Sequence, residues 1–250
     1  MNIEWLAVAP LAMMDGGAWY AFQTSSMAGK LIVIILFIGS IFTWSVMITK
    51  YRTMLKAVEQ TRRFLVAYRK EGHPASLFLK RQRHEASPLY PIYERACAAL
   101  GTVLEARGAD PGDLFMGAMS GSQFQLGEVA ISRIRNVAER TMADQALLME
   151  ASMGFLATST TAAPFLGLLG TVWGVMDAFS QMVTKGTAML SAVAPGIAGA
   201  LLTTVVGLLV ALPSSIGYNM LTDRIRGLTV EMDNFCQELI SDLESHYRSA

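Results

Sequence analysis

Thr171 and Thr204 each sit deep in a stretch without charge, flanked by glycine and alanine at helical spacing. The first stretch reads A-P-F-L-G-L-L-G-T-V-W-G from Ala163 to Gly174, and the second A-P-G-I-A-G-A-L-L-T-T-V-V-G from Ala194 to Gly207. A threonine hydroxyl has one proton to donate and two lone pairs to accept with. It does not ionise at neutral pH, so it carries no proton itself, but it can hold a carboxylate or a water in place. A membrane threonine often bonds back to its own i−4 carbonyl instead. The small neighbours of Thr171 and Thr204 favour hydroxyls that face another helix.

At about 3.6 residues per turn, Ala163, Gly167, Gly170, Thr171 and Gly174 share one face. Gly196, Gly199, Ala200, Thr203, Thr204, Gly207 and Ala211 form a similar stripe on the later stretch. Apolar helices in lipid gain association from close backbone approach and dispersion, which small faces permit. The two stripes are therefore expected to pack against partner helices and to line a narrow, hydroxyl-bearing pore. Ionisable groups inside membranes mark proton relays, and neither stretch has one, so a proton pathway here needs an acid from another polypeptide. Asp177 and Lys185 lie towards the outer surface, where Asp177 is a candidate proton funnel.

Membrane spans must position these residues. The chain has 250 residues, 52% hydrophobic and 16% charged, with no net charge. Nineteen uncharged residues separate Lys30 from Lys50, 26 separate Glu150 from Asp177, and 37 separate Lys185 from Asp223. Each run is long enough to cross most of a hydrocarbon core of about 30 Å. The segment Lys50–Glu150 holds 15 of the 20 Lys and Arg residues, and the first 29 residues hold none. The positive-inside rule then puts the middle segment and the tail in the cytoplasm and the amino terminus outside.

The expected order is an external segment over 1–27, a first span over 28–49 and a cytoplasmic helical region over 50–150. A second span follows over 151–181, an external turn over 182–193, a third span over 194–221 and a cytoplasmic helix over 222–250. The apolar start Met1–Met14 lacks a basic flank and a cleavage site, so it reads as a retained amphipathic segment. The first span reads as a lipid-facing support whose Ser40, Thr43 and Ser45 bond their own helix. Periodicity then predicts a helix as far as Gly72, short pieces broken by Pro74, Pro88, Pro91, Gly101, Gly108, Pro111 and Gly112, and one unbroken helix from about Ser122 through the second span. The third span is expected to begin near Pro195 and to kink at Pro213, with Ser214 and Ser215 satisfying freed backbone groups. Ile225, Leu228, Met232, Phe235, Leu239 and Leu243 predict an amphipathic tail helix.

No Ser, His and Asp arrangement and no phosphate-cradling loop is recognisable, which argues against an enzyme. Cys97 and Cys236 fall on the reducing side without metal spacing. His73, His84 and His246 are scattered and read as surface residues, so no metal or cofactor is expected. Acidic residues flank Lys80, Arg81 and Arg83 without a stacking ladder, so nucleic acid is not an expected partner.

The two glycine and threonine motifs, with Y-N-M-L from Tyr218 and D-N-F from Asp233, resemble the TolQ, ExbB and MotA proton-channel family of bacterial inner-membrane stator subunits. The resemblance covers all three spans, roughly Gly29 to Leu243, and three spans fit TolQ or ExbB better than MotA. It implies an all-helical membrane protein whose long helices extend into a cytoplasmic bundle and which assembles as a pentameric ring. It further implies a TolR- or ExbD-type partner with one span bearing an aspartate, and a TolA- or TonB-type protein driven across the envelope. The family's pore threonines correspond to Thr171 and Thr204, and Trp173 belongs to the same motif. Many TolQ and ExbB members have glutamate where this chain has Gly199, so the partner's aspartate must suffice. The alternative is a passive scaffold that holds partner helices and conducts nothing.

Overall fold

The computed structural model describes residues 17–80, 82–84, 86–106, 126–185 and 190–247. The expected external start Met1–Met14 and the breaks at Gly108, Pro111 and Gly112 lie outside them. Every regular element among the described residues is helical: α1 Trp19–Thr24, α2 Met27–Lys70, α3 Ser76–Leu79, α4 Leu89–Glu105, α5 Glu128–Glu150, α6 Met153–Lys185 and α7 Leu190–Tyr247. Three helical stretches are long and apolar enough to cross a membrane: α2, the stretch Glu128–Thr184, and Val193–Tyr247 within α7. The protein is thus an all-α membrane protein.

The local sequence explains most of the boundaries. Arg69 and Lys70 occupy the last turn of α2, where cations complement the partial negative charge of a helix end. Pro88 stands at the N-cap of α4 and Pro91 in its first turns, where a missing N–H costs little. That helix runs on through Gly101, which does not break it as expected. Too many buried residues lie on either side, Cys97, Leu100, Val103 and Leu104 among them, for one glycine to end it.

The unbroken helix expected from Ser122 is also corrected. α5 ends at Glu150, Ala151 turns extended with ψ 136°, and Ser152 adopts φ 69°, before α6 begins at Met153. A left-handed residue ends the helical ladder as firmly as a proline does. α7 begins at Leu190, ahead of Pro195, and continues past Pro213 to Tyr247. Ser214 donates to the Val210 carbonyl at 2.6 Å, next to the Leu209 carbonyl that Pro213 leaves without its helical N–H.

The chain folds as two compact units. One spans Met1–Ile48 and Ser152–Met220, the other Thr49–Ala151 and Leu221–Ala250. In the first, Ile32 and Leu36 of α2, Ala163 of α6, and Val210 and Ala211 of α7 form the buried cluster, with Leu166 and Val206 against it. Outward from it, Leu31, Ile34, Phe37, Ile38, Ile41 and Phe42 are exposed on α2, as a bilayer requires.

The second unit is built like a soluble core. Phe64 is fully buried and meets Phe235 edge-on with centroids 5.3 Å apart, and Tyr93 at 5.7 Å. The Tyr68 hydroxyl donates to Asp242 Oδ2 at 2.7 Å, and burial together with that carboxylate raises the phenol's pKa. Ile225, Leu228, Met232, Phe235, Leu239 and Leu243 of α7 are all buried. Cys97 and Cys236 are free and buried, and burial pushes the Cys97 thiol up to about 12. A thiol so placed is inert.

The reading of the histidines as surface residues holds for His246 and fails for His73, which is buried at 9% exposure. His73 accepts a hydrogen bond from the Ala75 N–H, so its environment is set by a turn rather than by periodicity.

Candidate functional site

The site grows from the approach of α6 and α7 in the first unit. Gly207 lies against Ala163, and a Cβ placed on it would stand 2.6 Å from the Ala163 carbonyl oxygen. A Cβ on Gly167 would stand 2.8 Å from the Thr203 carbonyl, one on Gly170 would stand 2.6 Å from Thr203 Cβ, and one on Gly174 would stand 2.6 Å from Ala200 Cβ. Gly196 faces Ala178 with 3.1 Å of room for a Cβ. Running antiparallel, Ala163 thus meets Gly207, Gly167 and Gly170 both meet Thr203, Gly174 meets Ala200, and Ala178 meets Gly196. The two small stripes face each other within one chain, and the hydroxyls sit along the seam they make.

Thr203 is fully buried, with its Oγ1 placed to donate to the Ala200 carbonyl at 2.7 Å and the Gly167 carbonyl at 2.9 Å. Thr204, half-buried one residue on, donates to the same Gly167 carbonyl at 3.1 Å. Thr171 donates to the Leu168 carbonyl at 2.7 Å, and the hydroxyls of Thr204 and Thr171 stand 3.4 Å apart. Thr171 therefore does both things open to it: it bonds back within its helix and it faces the other span.

The chemistry follows from counting protons. A carbonyl only accepts, so Thr171 and Thr204 commit their single protons to the backbone, and their lone pairs are left for a visitor. A protonated acid or a water can donate to them as they stand. A carboxylate is served only when a hydroxyl turns about its Cβ–Oγ1 bond and gives up its carbonyl. Leu168, Val172, Leu201, Val205 and Leu208, each within four residues of one of the two threonines on the same helices, are exposed and apolar.

Gly199 lies elsewhere, beneath α1. A Cβ on it would stand 2.7 Å from the Ala21 carbonyl oxygen and 2.8 Å from Ser25 Cα, and Thr24 Oγ1 donates to the Pro195 carbonyl at 3.3 Å. No side chain at 199 fits without moving that helix. The glycine is a close-approach residue here, and a carboxylate in its place is sterically barred. Sequence reasoning had no signal for this contact, because α1 is short and follows no long periodic run.

Thr43 is a second residue that sequence reasoning undervalued. It is buried at 2% exposure, bonds back to the Gly39 carbonyl at 2.9 Å as expected, and its Oγ1 also lies 3.0 Å from Ser159 Oγ, joining α2 to α6. Asp177 accepts from Gln181 Nε2 at 3.1 Å, one turn further along α6.

Comparison with known proteins bears on what this seam does. Residues 113–234 match the MotA/TolQ/ExbB proton channel family. The chain is 28% identical over 224 residues to the Tol-Pal system protein TolQ of Haemophilus influenzae, covering 89% of this chain and 91% of that protein. It is 29% identical over 226 residues to the biopolymer transport protein ExbB of Pseudomonas putida, covering 90% of this chain and 63% of that protein. A shorter match, 44% identical over 90 residues, joins 36% of this chain to 39% of the TolQ protein of Pseudomonas aeruginosa.

Proposed function

We propose that this chain, which belongs to the MotA/TolQ/ExbB proton channel family, is the pore-forming subunit of a proton-driven motor in the bacterial inner membrane. The observation that carries the proposal is the Thr204–Thr171 pair, 3.4 Å apart on the α6–α7 seam, in helices whose exposed Leu168, Val172, Leu201 and Val205 are apolar. The spans holding it have no Asp, Glu, Lys, Arg or His between Glu150 and Asp177 or between Lys185 and Asp223. The acid that carries the proton therefore comes from another polypeptide, a TolR- or ExbD-type protein with one span and an aspartate.

Copies of the chain, five by family resemblance, surround that partner with their seams turned towards it. A protonated aspartate donates to the free lone pairs of a threonine pair. Once its proton leaves to water on the far side, a threonine turns and donates to the carboxylate instead. Each passage moves the partner relative to the ring, and the partner drives a TolA- or TonB-type envelope-spanning protein. The amino terminus faces the periplasm and the carboxy terminus the cytoplasm, following the distribution of Lys and Arg.

A passive scaffold is the second reading, and the closed glycine packing of α6 on α7 favours it, since such packing serves rigidity as well as conduction. Thr171→Val and Thr204→Val separate the two in living cells. Valine keeps shape and removes the hydroxyl, so a conducting subunit loses envelope energy transduction while its level in the membrane is unchanged. Full transduction in both variants would leave only the scaffold.

A further inference from the structure

His73 and His246 come from distant parts of the chain and meet with ring centroids 5.2 Å apart, edge to face. His246 stands at the end of α7, and His73 in the turn that precedes α3. His73 Nδ1 accepts the Ala75 N–H at 3.1 Å, which is possible only while that nitrogen carries no proton. Its Nε2 then carries the proton and faces the Tyr247 hydroxyl at 3.3 Å. His246 is wired the opposite way. Its Nδ1 lies 3.1 Å from the Asp242 carbonyl and its Nε2 3.1 Å from the Gly72 carbonyl. Both of those partners only accept, and the Ser245 hydroxyl lies 3.5 Å from the same Nδ1. The Tyr247 carbonyl in turn accepts the Leu126 N–H at 2.9 Å, so the residue that bonds His73 also ties down the chain ahead of α5.

We propose that His73 and His246 form a proton-sensing latch. It holds the carboxy-terminal end of α7 against the turn before α3 while His73 Nδ1 is bare and accepts the Ala75 N–H, and it opens when that nitrogen takes up a proton. A proton on His73 Nδ1 would point at the Ala75 N–H and place a positive ring beside His246.

The two carboxylates nearest the pair are each engaged by another residue. From α7 the pair is faced by Tyr247, a phenol that burial raises to about 12, and by Asp242, whose carboxylate accepts the Tyr68 hydroxyl. On the connecting segment Glu71 is engaged by Lys80 at 2.5 Å. From α4, the thiol of Cys97 is buried and neutral. Burial first, and His246 second, depress the His73 imidazole below its ordinary value of about 6.5. A depressed imidazole stabilises the folded arrangement fully above about 6.5, and that stability is lost as pH falls below it, because the opened form binds the proton better.

Hydrogen exchange of the α7 end, followed by mass spectrometry on the full-length chain in lipid nanodiscs and corrected for intrinsic rates, tests the latch. Uptake of one proton on opening sets a ceiling of about tenfold per pH unit. Between about pH 7.5 and about pH 5.5 the wild-type segment should exchange severalfold faster. His73→Asn keeps an acceptor for the Ala75 N–H and cannot titrate, so its exchange should stay flat. His246→Gln, at an exposed position, removes the ring that opposes a proton on His73, so its rise should be smaller than the wild type's. A wild-type segment indifferent to pH, or a wild-type-sized rise in His73→Asn or in His246→Gln, overturns the proposal. None of these outcomes depends on proton conduction by the membrane spans.

Discussion

A threonine has one proton to give, and at Thr203 both acceptors in reach are backbone carbonyls inside a dry seam. Thr203→Val keeps the volume and removes those bonds, so it should destabilise the chain by about 1 kcal/mol, as single interhelical hydrogen bonds in membranes do. Thermal unfolding in detergent would register the loss, while proton handling at Thr171 and Thr204 should survive it. A variant that unfolds like wild type would show that Thr203 matters for its shape alone. Neighbouring threonines thus differ in kind: Thr203 is a buried brace, and Thr204 an open hydroxyl. Their common motif in the sequence does not distinguish them. Residue spacing put both on one stripe, but the step in rotation between buried and half-buried depends on which helix lies opposite.

Helices α6 and α7 are held together by what their glycines lack. Gly174→Leu would drive a side chain into Ala200, whereas Gly39 on α2 has no neighbouring atom within 4 Å of a Cβ. Overpacking costs about 1–3 kcal/mol, so Gly174→Leu should lower the melting temperature and the yield of folded protein, and Gly39→Leu should leave both unchanged. Equal tolerance at the two positions would contradict the seam. The long helices and their small faces were legible in the sequence because charge-free length and helical periodicity are local properties. The mutual pairing of the two stripes was not, since a smooth face in lipid fits any other smooth face. The break at Ser152 was equally hidden, because serine carries no helix-breaking signal and its φ of 69° comes from the surrounding structure.

The two units of the molecule rest on different physics. The unit containing α4 and α5 buries an aromatic cluster around Phe64, so Phe64→Ala should cost about 3–5 kcal/mol. Phe165→Ala, at 70% exposure on α6, should cost far less in the same thermal melt. A comparable loss from the two would mean that the cluster is not the core. The tail stripe from Ile225 to Leu243 announced half of this core, whereas the burial of His73 escaped notice because turn geometry, not periodicity, brings it in. Among the described residues the membrane unit has no such aromatic cluster, and its defining feature is the open pair of hydroxyls on an uncharged seam. Proton flux into liposomes holding this chain with a single-span, aspartate-bearing partner tests that feature most directly. The account predicts flux well above that of empty vesicles, falling to the empty-vesicle level when Thr171 and Thr204 are both changed to valine. Undiminished flux through the double valine variant would contradict it.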